Sequence, residues 1–135
     1  MGKFLIASSI IIALANADRA QDHLPALKVD TRLTLAAQEK ADDMVAESYF
    51  AHVSPSGKSP WYWFSVAGYD FRFAGENLAA GFPDSDDINA AWMSSALHRA
   101  NILNANYTQI GVADATGTYE GRPTVFVVEE FGSPK

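Results

Sequence analysis

The chain has 135 residues, 48% of them hydrophobic and 19% charged, which suits one folded domain with its own core and excludes a disordered chain or a membrane bundle. A net charge of -6, with only ten scattered Lys and Arg residues, argues against a nucleic-acid partner, because phosphate binding needs clustered positive charge. The absence of cysteine removes disulfides, thiolate nucleophiles and Cys-ligated zinc, and leaves the compartment open.

At the amino terminus, "MGKFLIASSIIIALANA" has one Lys, an apolar run and small residues at Ala13, Ala15 and Ala17, in the manner of a secretory signal with an A-x-A cleavage site. It is too short to span a bilayer. The alternative is an amphipathic first helix, with Ile11, Ile12, Leu14 and Ala15 inward and Asn16, Asp18 and Arg19 outward. Residues 1–9 then form a leading segment or the start of that helix, and residues 10–135 form the domain.

Asp30 is a good N-cap for a long helix over "TRLTLAAQEKADDMVAES", in which Leu33, Ala37, Ala41, Met44 and Val45 recur at helical spacing. Pro55, Gly57 and Pro60 then break the pattern, and "WYWFSVAGYDFRF" supplies a dense aromatic group around a helical turn ending at Gly68. These rings suit a core or cavity wall, with a contact surface or lipid-accepting groove as the alternative. "FRFAGENLAAG" reads as a strand. "PDSDDINAAWMSS" reads as a helix capped by Ser85, with Asp86 and Asp87 in the first turn, where the helix dipole favours negative charge.

"SSALHRANIL" places Ala96, Leu97, Ala100 and Leu103 as a core face and sets His98 beside them. "YTQIGVADAT" and "TVFVVEEF" are rich in β-branched and aromatic residues and flank the turn region "GTYEGRP", so they read as an antiparallel pair. Helices followed by strands without a regular β-α-β repeat indicate an α+β layer structure, an antiparallel sheet covered by helices.

Gly57-Lys58-Ser59 lacks the earlier glycine and leading strand of a phosphate loop, and Asp84 to Ile88 does not follow the calcium-loop pattern. HExxH, GxSxG and GxGxxG are absent, and neither Ser54 nor Ser95 has evident triad partners. Asn106-Tyr107-Thr108 matches a glycosylation acceptor, which matters only in a secreting eukaryotic host. His23 belongs to a polar turn. The polar residues that interrupt apolar patterns are His52, Glu76 and His98. Two histidines and a carboxylate have the donor atoms for an open zinc site or for acid-base work near neutral pH. Each also has a plain structural reading, as a loop residue, a solvent-facing strand residue and a hydrogen-bonded core histidine.

Taken together, "YFAHVSPSGKSP", "AGENLAAG", "AWMSSALHRANIL" and "NYTQIGVA" resemble the CAP superfamily (cysteine-rich secretory, antigen 5 and pathogenesis-related 1 proteins), in particular its cysteine-free bacterial SCP-domain branch. The resemblance runs from about Ile10 to Gly132. It implies a three-layer α-β-α sandwich with a central antiparallel sheet and a cavity lined by two histidines and acidic residues. Carried onto this sequence, those are His52, Glu76 and His98, with Asn77 of the G-E-N motif beside them. An N-x-x-R element in the first helix corresponds to Asn16 and Arg19, which favours the helix over a cleaved signal. Animal and plant members carry a second glutamate where this chain has Ser95. Glu129, which strand alternation sets on the face opposite Glu130, is the candidate replacement.

The resemblance further implies an extracellular or cell-surface, monomeric protein that is not transmembrane. Its function is binding of a metal ion or of a small, lipid or protein ligand. Zinc would be held by His52 and His98, with Glu76 as a third ligand or acid-base group, and Glu129, Ser95 and Asn77 as further ligand-binding residues. The alternatives are a zinc-assisted or Glu76-dependent hydrolase, with Glu76, His52 and His98 catalytic, and an interaction domain with a vestigial cavity.

Overall fold

The structure is a computed structural model that describes residues 5–135. Residues 1–4, the first part of the expected leading segment, lie outside the described residues. The elements are α1 (Ser8–Gln21), β1 (Lys28–Val29), α2 (Thr31–Glu47), α3 (Pro60–Val66), β2 (Phe71–Ala80), α4 (Ser85–Met93), α5 (Ala96–Ile102), β3 (Gln109–Tyr119) and β4 (Arg122–Pro134). The sheet has the order β1-β3-β4-β2 and is antiparallel except for the two-residue β1, which pairs in parallel with β3.

The longest helix forms where its cap and spacing dictate. Asp30 accepts from the backbone N–H of Arg32 at 2.8 Å and of Leu33 at 3.4 Å, satisfying two donors that the first turn leaves free. The buried face of α2 is mostly small, with Ala36, Ala37 and Ala41 between Leu33 and Met44. Small side chains let the helix lie close to the sheet, and at Gly111 of β3 a Cβ would overlap the backbone of Leu33 and Thr34. The β3–β4 hairpin closes on Glu120 and Gly121, both at positive φ (51° and 77°), the two-residue turn whose twist matches the strands.

Between its neighbours, β4 is covered on both faces, and Thr124 to Ser133 form one continuous buried run. Alternation sorts that run. Phe126 and Val128 join Leu78, Ala113 and the α2 residues Ala37, Ala41 and Met44. Val125, Val127 and Phe131 join Ile11, Ala15, Ile88, Trp92 and Ile102 of α1, α4 and α5. The expected sandwich is therefore present, with α2 on one face and α1, α4 and α5 on the other. The third cluster sits against α2, where Trp63, Phe64 and Tyr69 pack on Leu33 and Ala36 and confirm a core role for these aromatics.

Three local expectations change. Arg19 is buried, because its guanidinium satisfies four carbonyls that close the end of α1 onto the α5–β3 connection: Pro25, Ile102, Asn104 and Tyr107, at 2.9 to 3.3 Å. The cap of α4 is Asp84, which accepts from the Asp87 N–H at 2.8 Å. Ser85 instead accepts from the Ala7 N–H through its hydroxyl, tying the entry of α1 to α4. The expected core face of α5 is also absent: Ala96 and Ala100 are exposed, Leu97 is 84% exposed, and Leu103 is half-buried. The break at Ser94 and Ser95 resets the helical phase, so that Ile102 is the residue of α5 that enters the core.

Arg19→Met should destabilise the fold by about 3 kcal/mol in denaturant unfolding, because it orphans four buried or part-buried carbonyls while keeping most of the side-chain volume. An effect within about 0.5 kcal/mol, the range of an ordinary surface substitution, would show that the carbonyls find other donors.

Candidate functional site

The paired strands β2 and β4 carry four buried polar residues side by side, Glu76, Asn77, Glu129 and Glu130. Glu76 lies opposite Glu130 and Asn77 opposite Glu129, and alternation sends these two pairs to different faces of the sheet. Glu76 and Glu130 share the α2 face with Lys40 and Tyr49, whose burial against Leu78 and Val128 places that face. Asn77 and Glu129 share the other face, where Asn77 Nδ2 donates to Glu129 Oε1 and to the His98 carbonyl, each at 3.1 Å.

His52 follows α2 in a loop held by Lys40. The Lys40 ammonium is fully buried and donates to the carbonyls of Ala51 and His52 at 2.8 Å each and to the Tyr49 hydroxyl at 3.1 Å. All three of its protons are thereby committed. Burial lowers its pKa, opposed by the charges of Glu76, Glu130 and Asp43. The Tyr49 hydroxyl in turn donates to Asp43 at 2.6 Å, and burial first, then that carboxylate, push its pKa upward. A lysine buried to satisfy carbonyls thus fixes the backbone that presents His52.

The imidazole itself is fixed from below. His52 Nδ1 lies 2.8 Å from Glu76 Oε1, with the histidine side chain 54% exposed and the glutamate side chain 2% exposed. A buried carboxylate acceptor selects the Nδ1–H tautomer and turns the Nε2 lone pair outward. His98 is oriented by the Ser95 hydroxyl, 2.8 Å from its Nδ1, and its pKa is lowered by burial and then by the nearby His52. The lowered pKa favours the neutral ring at pH 7. Asn101, one turn beyond His98 on α5, donates to the Glu76 carbonyl at 3.1 Å and to Asn77 Oδ1 at 2.9 Å, docking that helix on β2.

The structure thus brings together His52, Glu76 and His98, with Ser95 as an orienting partner and Asn77 as a brace behind them. It does not bring Glu129 to the imidazoles. Glu130 occupies that face instead, because a strand residue directly opposite Glu76 must share its side of the sheet. Glu130, Lys40 and Asn101 were missed from sequence. Helical phase was the available signal for Lys40, which stands four residues after Ala36 and four before Met44 on the buried stripe.

The imidazoles stand at an open rim. The fold's hollows of about 450 Å³ at Trp61, Tyr69, Asp70 and Phe71, and about 570 Å³ at Phe50, Gly81, Tyr119 and Thr124, are lined by neither histidine nor Glu76. Among the described residues no group of three or more His, Asp or Glu side chains gathers to hold a metal ion. Zinc bound through protein usually takes at least three such ligands, and Glu76 Oε1 is already committed to His52. No described helix is long and apolar enough to cross a membrane.

This architecture, an α-β-α sandwich with buried polar groups on the paired strands β2 and β4, is that of a known class of domain. Residues 12–131 match the CAP family, the cysteine-rich secretory protein family, and the chain belongs to it. It is similar to protein YkwD of Bacillus subtilis (strain 168), with 40% identity over 102 residues that cover 76% of this chain and 40% of YkwD. It is also similar to the membrane protein YlbC of the same organism, with 33% identity over 102 residues, 76% of this chain and 30% of YlbC. The chain thus spans less than half the length of these two relatives.

Among solved structures, an extracellular SCP-domain protein of Bacillus anthracis str. Ames aligns with a TM-score of 0.80 and 30% identity, over 93% of this chain and 39% of that one. An outer surface protein of Borrelia burgdorferi shares the fold at a TM-score of 0.80 and 24% identity, over 94% and 92% of the two chains.

Burial pushes the Glu129 carboxyl up to about 8; the Asn77 amide opposes that shift and the charge of Asp18 adds to it. A carboxyl raised in the folded state contributes stability that is complete below its unfolded pKa, near 4.5, and is lost as pH rises through about 8. Glu129→Gln should therefore raise Tm at pH 8 by roughly 5 °C or more and change it little at pH 4. Equal effects at both pH values in thermal unfolding would show that Glu129 does not take up a proton on folding.

Proposed function

We propose that the chain is an extracellular or cell-surface CAP domain that binds a small, uncharged, hydroxyl-bearing apolar molecule at the rim formed by His52 and His98. The observation that carries this reading is the 2.8 Å contact of His52 Nδ1 with the buried Glu76, which holds the ring so that Nε2 faces outward as an acceptor. His98, whose pKa burial lowers, adds a second imidazole. Phe50 and Val53, within two residues of His52, and Leu97, beside His98, are exposed apolar side chains that supply a surface for the rest of the ligand. The net charge of -6 disfavours an anionic head group. The surface location is supported by the relatives described as an extracellular protein and an outer surface protein.

Zinc is the second reading, resting on two imidazoles whose Nδ1 atoms are held by Glu76 and Ser95, an orientation that suits Nε2 ligation. Hydrolysis through Ser95 would use His98, 2.8 Å away, as its base, but no carboxylate among the described residues bonds the other nitrogen of that ring, so binding is the reading that the geometry favours. Calorimetry at neutral pH with monodecanoylglycerol below its aggregation threshold, and separately with zinc chloride, separates the two. Saturable binding of the monoglyceride, weakened about tenfold in His52→Ala and in His98→Ala without loss of thermal stability, is the expected outcome. Near-stoichiometric, micromolar zinc binding lost in both variants would support the metal reading instead. Heat from neither probe would overturn both and point to a protein partner.

A further inference from the structure

Beneath His52 the structure holds a buried carboxyl pair whose hydrogen bonding is incomplete unless one member carries a proton. Glu130 is fully buried, and both of its oxygens, together with Glu76 Oε2, meet no donor among the described residues. The groups around the pair can be taken element by element. From α2, Lys40 has spent its three protons on Ala51, His52 and Tyr49, and Tyr49 has spent its hydroxyl proton on Asp43. From β3, the residue opposite Glu130 is Gly111, which has no side chain and is covered by the α2 backbone. The next carboxyl along β4, Glu129, points to the other face and takes its donor from Asn77. Two ionised carboxylates side by side in a water-excluded layer would repel strongly, and cross-strand partners have their Cβ atoms about 5 Å apart, within reach of each other through their side chains.

We propose that Glu130 is a positioning residue for His52: protonated Glu130 donates to Glu76 Oε2, and Glu76 Oε1 accepts the Nδ1–H of His52. Burial, followed by the charge of Glu76, holds Glu130 well above the usual carboxyl range, which agrees with its being the protonated partner. The consequence is a line of three side chains, Glu130 O–H to Glu76 to His52 Nδ1–H, that fixes which ring nitrogen of His52 is left as the acceptor. Without a donor on Glu130, Glu76 is left with a buried, unpaired oxygen and its hold on the Nδ1–H of His52 is lost. The ring then relaxes to the Nε2–H form that a free imidazole favours. The exposed face of His52 changes from acceptor to donor. The proposal rests on the reading that His52 Nε2 faces the ligand only for its importance to binding, because the tautomer is measurable in the ligand-free protein.

The test is ring ¹⁵N chemical shifts of His52 in the ligand-free wild type, Glu130→Gln and Glu130→Met at neutral pH, with infrared difference spectra of the same samples. The expected result is the Nδ1–H tautomer in the wild type and in Glu130→Gln, whose amide donates in place of the carboxyl, and the Nε2–H tautomer in Glu130→Met. The carbonyl stretch of one protonated carboxyl should also disappear between wild type and Glu130→Gln. A His52 tautomer unchanged in Glu130→Met, or no protonated carboxyl lost in Glu130→Gln, would overturn the proposal. Methionine fills the buried volume without a charge and glutamine keeps the shape, so both variants are expected to fold. Failure of the monoglyceride to bind, with the tautomer switch intact, would overturn the ligand reading and leave the positioning role standing.

Discussion

The antiparallel register of β2 on β4 is the constraint on which the rest depends. Because Glu76 pairs with Glu130 and Asn77 with Glu129, two adjacent polar residues on each strand are divided between the two faces of one sheet. One face receives a carboxyl pair under α2, reached by His52 at its edge. The other receives the Asn77 amide, which donates to the carbonyl of His98 and to the Glu129 carboxyl. A slip of one residue would exchange the faces and set charged groups against Val127 and Phe131's neighbours in the opposite core, so burial on both sides enforces the pairing.

Polar groups at the centre of a sheet are costly, and the chain meets that cost unevenly. Arg19 and Lys40 are buried cations whose donors all end on carbonyls or a hydroxyl, and each fastens a connection that regular secondary structure leaves loose. Arg19 closes the turn after α1, and Lys40 holds the loop that carries His52. The glutamates of β4 are less well served, since Glu129 keeps one oxygen and Glu130 both oxygens without a donor among the described residues. Buried polar groups left partly unsatisfied lower stability and tend to lie where function requires them. Here Glu130 lies beside Glu76, which holds His52.

Most secondary structure was legible because it depends on local chemistry. The Asp30 cap, the alanine-rich stripe of α2, the β-branched strands and the glycine of the hairpin turn each act within a few residues of chain. His52, Glu76 and His98 were also legible, through the motifs shared with the CAP family, and the structure sets the first two in contact and the third nearby. Local spacing turns Arg19 toward solvent, because its acceptors belong to segments 6 to 88 residues away. The phase of a longer amphipathic stretch puts Leu97 in the core, whereas the helix starts afresh at Ala96.

The sequence by itself determined the α+β class, the positions of most elements, the family and the three residues that meet at the rim, because propensity, capping and short motifs are properties of adjacent residues. Only the tertiary structure decided which glutamate of "VVEEFG" joins them. Both glutamates are equally good strand residues, and alternation says only that they face apart. The absolute face depends on the register with β2 and on which helix layer covers each side, both set by packing between segments far apart in the sequence.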